Sequence, residues 1–325
     1  MRGTARSLLA AASLLTACAA GPFFLARRLV IVRPALREGM LDGFPDGTPS
    51  DRVAAAVFER INADRRRAGV PPVRWDDKAA LVATEYTREQ IRQGAMGHFL
   101  LDGIPPYARL SHRGDLGLGA ENVVAYVSSD DRINDSPVSL ALRGEVSMMS
   151  ETPPNDGHRR AILDPGATHV GIGWSLVGGN FRMAEEFTSR RYDWLRVSQV
   201  GIDGASIRVR GRALPGMNIS FVSVALQPVP AKLSLREVNA RHSYAYPDPR
   251  YALLPASSNL SAAGLENLRC VTPSFRGRFS FNYQIERPGL WTFVLYFSGK
   301  EQKAPQPGGS FTVWVDEEAS APDRS

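Results

Sequence analysis

The chain has 325 residues, 43% of them hydrophobic and 22% charged. It is long enough for two buried cores and too apolar to stay disordered. Its net charge of +6 is carried almost wholly by arginine, and falls to +4 if the segment holding Arg2 and Arg6 is removed. No basic block interleaved with aromatics occurs, which excludes nucleic acid as an expected partner.

Met1 to Arg6 is basic, Ser7 to Leu15 is a short Leu/Ala run, and Leu15-Thr16-Ala17-Cys18 follows directly. That order reads as an export signal. The last four residues resemble the bacterial lipoprotein cleavage box, in which Cys18 becomes the acylated first residue and anchors the chain in a membrane. Two alternatives stay open: one membrane-spanning helix over residues 7–26, interrupted by Gly21-Pro22, and plain secretion with cleavage near Ala17 to Ala20. All three place the bulk of the chain outside the cytoplasm. If Cys18 is acylated, Cys270 has no cysteine to pair with and reads as a small buried hydrophobe.

Residues 19–49 read as a linker, Arg-rich and apolar over 27–38 and rich in Gly and Pro near its end. Ser50 or Asp51 caps a first helix through Ala68, with Val53, Val57, Phe58 and Ile61 on one stripe and Gly69 as its stop. Asp76 or Asp77 caps a second helix through Gln93. A long loop with Pro105-Pro106 leads to Glu121. Ser136-Pro137 opens a third helix through Ser150, and His158 to Leu163 is a short fourth. His169 to Trp174 and Asn180 to Phe187 alternate like strands joined at Gly178-Gly179. Beyond Leu195 come short alternating runs at Ala205–Arg210, Asn218–Leu226, Lys232–Glu237, Arg278–Ile285, Trp291–Phe297 and Ser310–Val315. They suggest an immunoglobulin-like β-sandwich over 195–318. Tyr244 to Ala263 reads as irregular, and residues 319–325 as a disordered tail.

Two of the five histidines, His98 and His158, stand beside helix boundaries with Glu121 and Glu151 in the same region. Two His and two Glu are side chains suited to a divalent cation or to acid–base work. His112 reads as a loop residue, His169 as a strand start and His242 as surface. Glu145 lies six residues before Glu151 and points to another helix face. Glu185-Glu186 sit in a strand, where pairing with Arg182 is the expected arrangement.

Asn62-Ala-Asp-Arg65-Arg-Arg-Ala-Gly69 resembles the opening motif of bacterial CAP (SCP-like extracellular) domains, relatives of cysteine-rich secretory, antigen 5 and plant pathogenesis-related proteins. Gly97-His98, Ala120-Glu121-Asn122, Ser150-Glu151, Gly157-His158-Arg159 and Val170-Gly-Ile-Gly173 follow in the family's order. The resemblance covers about residues 50–192. It implies an α+β fold in which an α-β-α sandwich with a broad cleft precedes the all-β domain. It also implies a cleft tetrad of His98, Glu121, Glu151 and His158. The two imidazoles would hold Zn or another divalent cation, with Glu121 and Glu151 orienting them. Departures are Ala120 for the usual Gly, Met148-Met149 for a usual Trp, Tyr86 for a frequent His, and an inserted Pro-Pro-Asn-Asp before Gly157. The expected function is an exported envelope protein whose cleft binds a lipid, glycan or protein ligand. The alternative is a metal-assisted hydrolase, a peptidase or esterase, with Glu121 or Glu151 as catalytic base.

Overall fold

The computed structural model describes residues 29–33, 40–42, 47–200, 205–259, 261–300 and 304–317. The export signal, Cys18 and the C-terminal tail lie outside the described residues. No helix among the described residues is long and apolar enough to cross a membrane.

Helix α1 (Arg52–Arg67) begins where the Asp51 carboxylate accepts the Val53 and Ala54 N–H groups at 2.7 and 3.0 Å. It buries Val53, Val57 and Ile61. The motif residues of its last turns are staples. Asn62 exchanges two hydrogen bonds with the Val73 backbone, and the buried Arg65 donates to the carbonyls of Pro71, Ile162, Asp164 and Ala167. Helix α2 (Asp77–Gln93) is capped by Asp76 and ends at Gly94, whose φ of 69° is the left-handed stop. Then come α3 (Pro106–His112), α4 (Pro137–Met149) and α5 (Gly157–Ile162). Helix α3 replaces the expected loop and carries His112. Pro106 sits at its first turn, where a missing N–H is harmless, and it buries Tyr107, Ala108 and Leu110.

Two sheets organise the chain. In ordering them we number the strands β1 (Leu29–Arg33), β2 (Met40–Asp42), β3 (Arg74–Trp75), β4 (Leu118–Val127), β5 (His169–Val177), β6 (Asn180–Ser189) and β7 (Tyr192–Val200). The series continues with β8 (Ser206–Ala213), β9 (Met217–Gln227), β10 (Tyr251–Pro255), β11 (Glu266–Pro273), β12 (Arg278–Gln284), β13 (Gly289–Gly299) and β14 (Gln306–Glu317). The smaller sheet runs β3-β5-β6-β4. Helix α2 covers one of its faces, while α1 and α4 pack on the other. This is the expected α-β-α layering. The Gly-Ile-Gly signature has a steric cause: a Cβ on Gly171 or Gly173 would stand 2.0 or 2.1 Å from the α2 backbone at Ala80 or Thr84.

The β-rich half is all-β, as expected, but differs in detail. Its strands follow one hydrogen-bonded order, β1-β14-β13-β9-β10-β11-β12-β8-β7-β2, around one core. β10 and β11 pair in parallel, and they arise partly from the stretch expected to be irregular. Lys232–Glu237, expected as a strand, instead leads into helix α6 (Leu235–Ala240). Ser234 and Glu237 close a reciprocal capping box there. β1 and β2 come from the segment read as linker and close the two edges of the sheet. Cys270 is buried in this core, as expected.

The two halves share a buried charge cluster. Arg190 meets Asp42, Asp76 and Asp115 at 3.1, 2.6 and 2.6 Å, and Lys78 meets Asp42 at 2.9 Å. Burial and the neighbouring carboxylates push Asp115 up to about 7, even against Arg190.

Candidate functional site

The site forms along β4, the edge strand of the smaller sheet. Successive residues of a strand face opposite sides. Glu121 therefore meets His98 and α3, while Asn122 meets α5. The turn after α2 carries His98 in, fixed by Tyr86 and Gln90, whose side chains both donate to the Gly97 carbonyl. The His98 Nδ1 lies 2.8 Å from Glu121 Oε1. The other Glu121 oxygen accepts from Arg109 of α3 at 2.5 Å, and Arg109 also donates to the His98 carbonyl at 2.9 Å. Arg109 stacks 3.8 Å over the Tyr86 ring. Burial would raise the Glu121 carboxyl, but the charge of Arg109 and the His98 hydrogen bond outweigh it and hold it below its ordinary value.

The second pair closes within one loop. His158 Nδ1 lies 2.5 Å from Glu151 Oε1, and Glu151 Oε2 accepts the His158 and Arg159 N–H groups at 3.0 and 3.4 Å. Glu151 thus does for the first turn of α5 what Asp156, whose side chain makes no cap bond, does not. Asn122 Nδ2 reaches the His158 carbonyl at 3.2 Å. The two imidazoles stand 6.5 Å apart, centroid to centroid, and 33° from parallel. The four expected side chains are therefore neighbours, as two His–Glu pairs. His98 is 8% exposed and His158 33%, so solvent reaches the site from the α5 side.

Each Nδ1 is occupied by a carboxylate, which leaves the two Nε2 atoms as donors. A ring centroid sits about 3.2 Å from a zinc ion bound through nitrogen, so two rings on one ion stand roughly 5 to 6.4 Å apart. The observed 6.5 Å lies just beyond that range, so the two rings would have to move closer to share one ion. Among the described residues no group of three or more His, Cys, Asp or Glu side chains is arranged to hold a metal ion. Two Nε2 atoms are an incomplete coordination set, so a cation there would need further donors from water or a ligand.

Several site residues escape a reading of sequence. Tyr244, from the β-rich half, packs edge-on to His98 at 4.9 Å, and its hydroxyl accepts the Glu121 N–H at 2.5 Å. Tyr246 does the same for the Gly119 N–H at 3.0 Å. These hydroxyls cover the free edge of β4. Glu186, opposite Glu121 in the β4–β6 register, is raised well above its ordinary value by burial and by the Glu121 charge. On the other face Glu185 bonds Asn122 at 3.1 Å, and burial together with the neighbouring Glu185 charge pushes Glu145 up to about 11. The expected pairing with Arg182 does not occur: its guanidinium donates to the Phe181 carbonyl. Both glutamates are buried because helices cover both faces of β6. His169 opens β5 as expected. It is buried, and burial with Arg190 and Arg74 lowers it to about 3. His242 is exposed, as expected.

Residues 58–188 match the model of the cysteine-rich secretory protein (CAP) family, and the chain carries a CAP domain. Among solved structures, an outer surface protein of Borrelia burgdorferi is 14% identical over 45% of this chain and 98% of its own, with a TM-score of 0.35. An extracellular SCP-domain protein of Bacillus anthracis is 22% identical over 42% of this chain and 40% of its own, at 0.31. The venom allergen-like protein 4 of Schistosoma mansoni is 11% identical over 42% and 88%, at 0.31. No curated protein matches the chain.

Proposed function

We propose that the protein is an exported CAP-domain protein of the cell envelope that binds a ligand at the His98–His158 site, with a divalent cation held between the imidazoles. The observation that carries this reading is the pair of imidazoles, each with Nδ1 fixed by its own glutamate and the rings 6.5 Å apart. Such fixation selects the tautomer whose Nε2 can ligate. A lipid, glycan or protein group would approach from the half-exposed His158 side and complete the coordination. The order of a basic start, a Leu/Ala run and Leu15-Thr16-Ala17-Cys18 supports an extracytoplasmic place.

Binding suits the site better than hydrolysis. A general base needs a free carboxylate near a water. Both Glu121 oxygens are engaged by His98 and Arg109, and both Glu151 oxygens by His158 and the start of α5. A peptidase and esterase panel tests this: activity abolished by Glu121→Gln or Glu151→Gln would establish the hydrolase instead.

Anchoring rests on Cys18. The sequence holds two cysteines, so a thioether-linked lipid on Cys18 and a disulfide to Cys270 exclude one another. Intact mass with and without reduction and alkylation separates them. A diacylated Cys18 with an alkylatable Cys270 supports the lipoprotein; a mass gain at two thiols only after reduction refutes it.

A further inference from the structure

The outer face of the ten-stranded sheet carries a concentration of one charge. β8 alternates: Ile207, Val209 and Ala213 are buried, while Arg208, Arg210 and Arg212 point outward. The register sets Arg210 directly opposite Arg196 on β7, and Arg212 directly opposite Arg278 on β12. Like charges facing one another across an antiparallel pair destabilise it, and here two such pairs lie side by side. Among the described residues the ion pair on this face is Arg212 with Asp193. At the rim, in the short turn leading into β12, Phe275 is 79% exposed and Arg276 stands 5.2 Å from its ring centroid. Clustered arginines with a projecting aromatic suit an anionic interface that also admits an apolar group.

We infer that this face rests on an anionic phospholipid bilayer. Five guanidinium groups meet the phosphate layer, and Phe275 enters at the headgroup level. Chain connectivity agrees. β2 lies against β7, with Leu41 opposite Arg196, and joins β1 through six residues. Ahead of β1 stand Arg27-Arg28 and the uncharged run 7–26. The uncharged run 7–26 thus precedes β1 in sequence, and the next strand, β2, borders β7 of the basic face. The geometry disfavours nucleic acid. The arginines spread over three adjacent strands, about 4.8 Å apart in a sheet, a two-dimensional array, where a single strand of nucleic acid takes a line of aromatics on which successive bases stack.

The test uses the full chain with Phe275→Trp, read as the difference from the wild type. Vesicles of phosphatidylcholine alone are compared with vesicles that also contain phosphatidylglycerol. The expected result is a blue-shifted emission from the introduced indole, quenched by brominated lipid, only where phosphatidylglycerol is present. Salt at about 1 M, where the screening length is near 3 Å, should abolish it. Replacing Arg196, Arg210 and Arg278 by Gln should weaken the bilayer-contacting state on the order of 100-fold, since each basic residue near such a surface contributes roughly 5-fold. The Arg→Lys triple variant should retain contact, which separates loss of charge from loss of fold. The inference is overturned if the introduced indole gives the same signal in both vesicles or in neither, or if the Gln variant binds like its parent. Tighter binding to a single-stranded oligonucleotide than to phosphatidylglycerol vesicles would overturn it in favour of nucleic acid.

Discussion

Arg109 decides the state of the histidine site, because it is the cation that keeps a fully buried Glu121 ionised. Breaking a buried ion pair by removing one partner costs about 3–5 kcal/mol, since the remaining charge is stranded. Arg109→Gln should therefore destabilise the protein by about that amount in chemical denaturation. Arg109→Gln with Glu121→Gln should recover part of it. Glu145 gives a second residue-scale prediction, in pH. Its carboxyl is raised to about 11 from an ordinary value of 4.5. The folded state therefore holds a proton that the unfolded chain has released between those limits. Stability falls as pH rises through that window, by at most about 1.4 kcal/mol per pH unit from this group. Glu145→Gln should flatten the decline between neutral and alkaline pH; an unchanged slope in melts across that range would contradict the assignment.

Among the elements, β4 and the α2–β5 contact define the site. Tyr244→Phe keeps the ring against His98 but removes the acceptor of the Glu121 N–H. An unsatisfied buried donor costs about 1–3 kcal/mol, and hydrogen exchange at the Glu121 amide should accelerate. Gly173→Ala puts a Cβ 2.1 Å from the Thr84 nitrogen and should lower stability by about 1–3 kcal/mol or more. Gly157→Ala, with nothing within 4 Å of the added carbon, is the matched control. These elements also show what a sequence can disclose. Caps and stripes are local, so α1, α2 and α4 are legible from Asp51, Asp76 and Ser136 and their apolar spacing. The His and Glu of the site are legible through motif order. Arg109 and Tyr244 are not, because their partners lie 12 and 123 residues away and no spacing rule links them. The strand order of the large sheet is hidden for a related reason. Alternation reports one buried face but not which strands pair, and the fully buried Ala252 to Pro255 does not alternate at all.

At the scale of the molecule, the β-rich half completes the CAP domain. Tyr244 and Tyr246 seal its edge strand, Ser310 bonds Gly117 at 3.0 Å, and Arg190 with Asp42 locks strand β2 between the halves. One cooperative unfolding transition is expected, with both halves reporting the same midpoint, because shared buried charges leave neither half satisfied alone. Two separated transitions by calorimetry would show independent domains. The central claim is that His98 and His158 together form a cation-dependent binding site. Calorimetric titration of Zn²⁺ into the wild type and into His98→Ala/His158→Ala tests it most directly. Saturable 1:1 binding by the wild type, lost in the double variant, is the predicted result. No binding by the wild type, or equal binding by both, would contradict the claim.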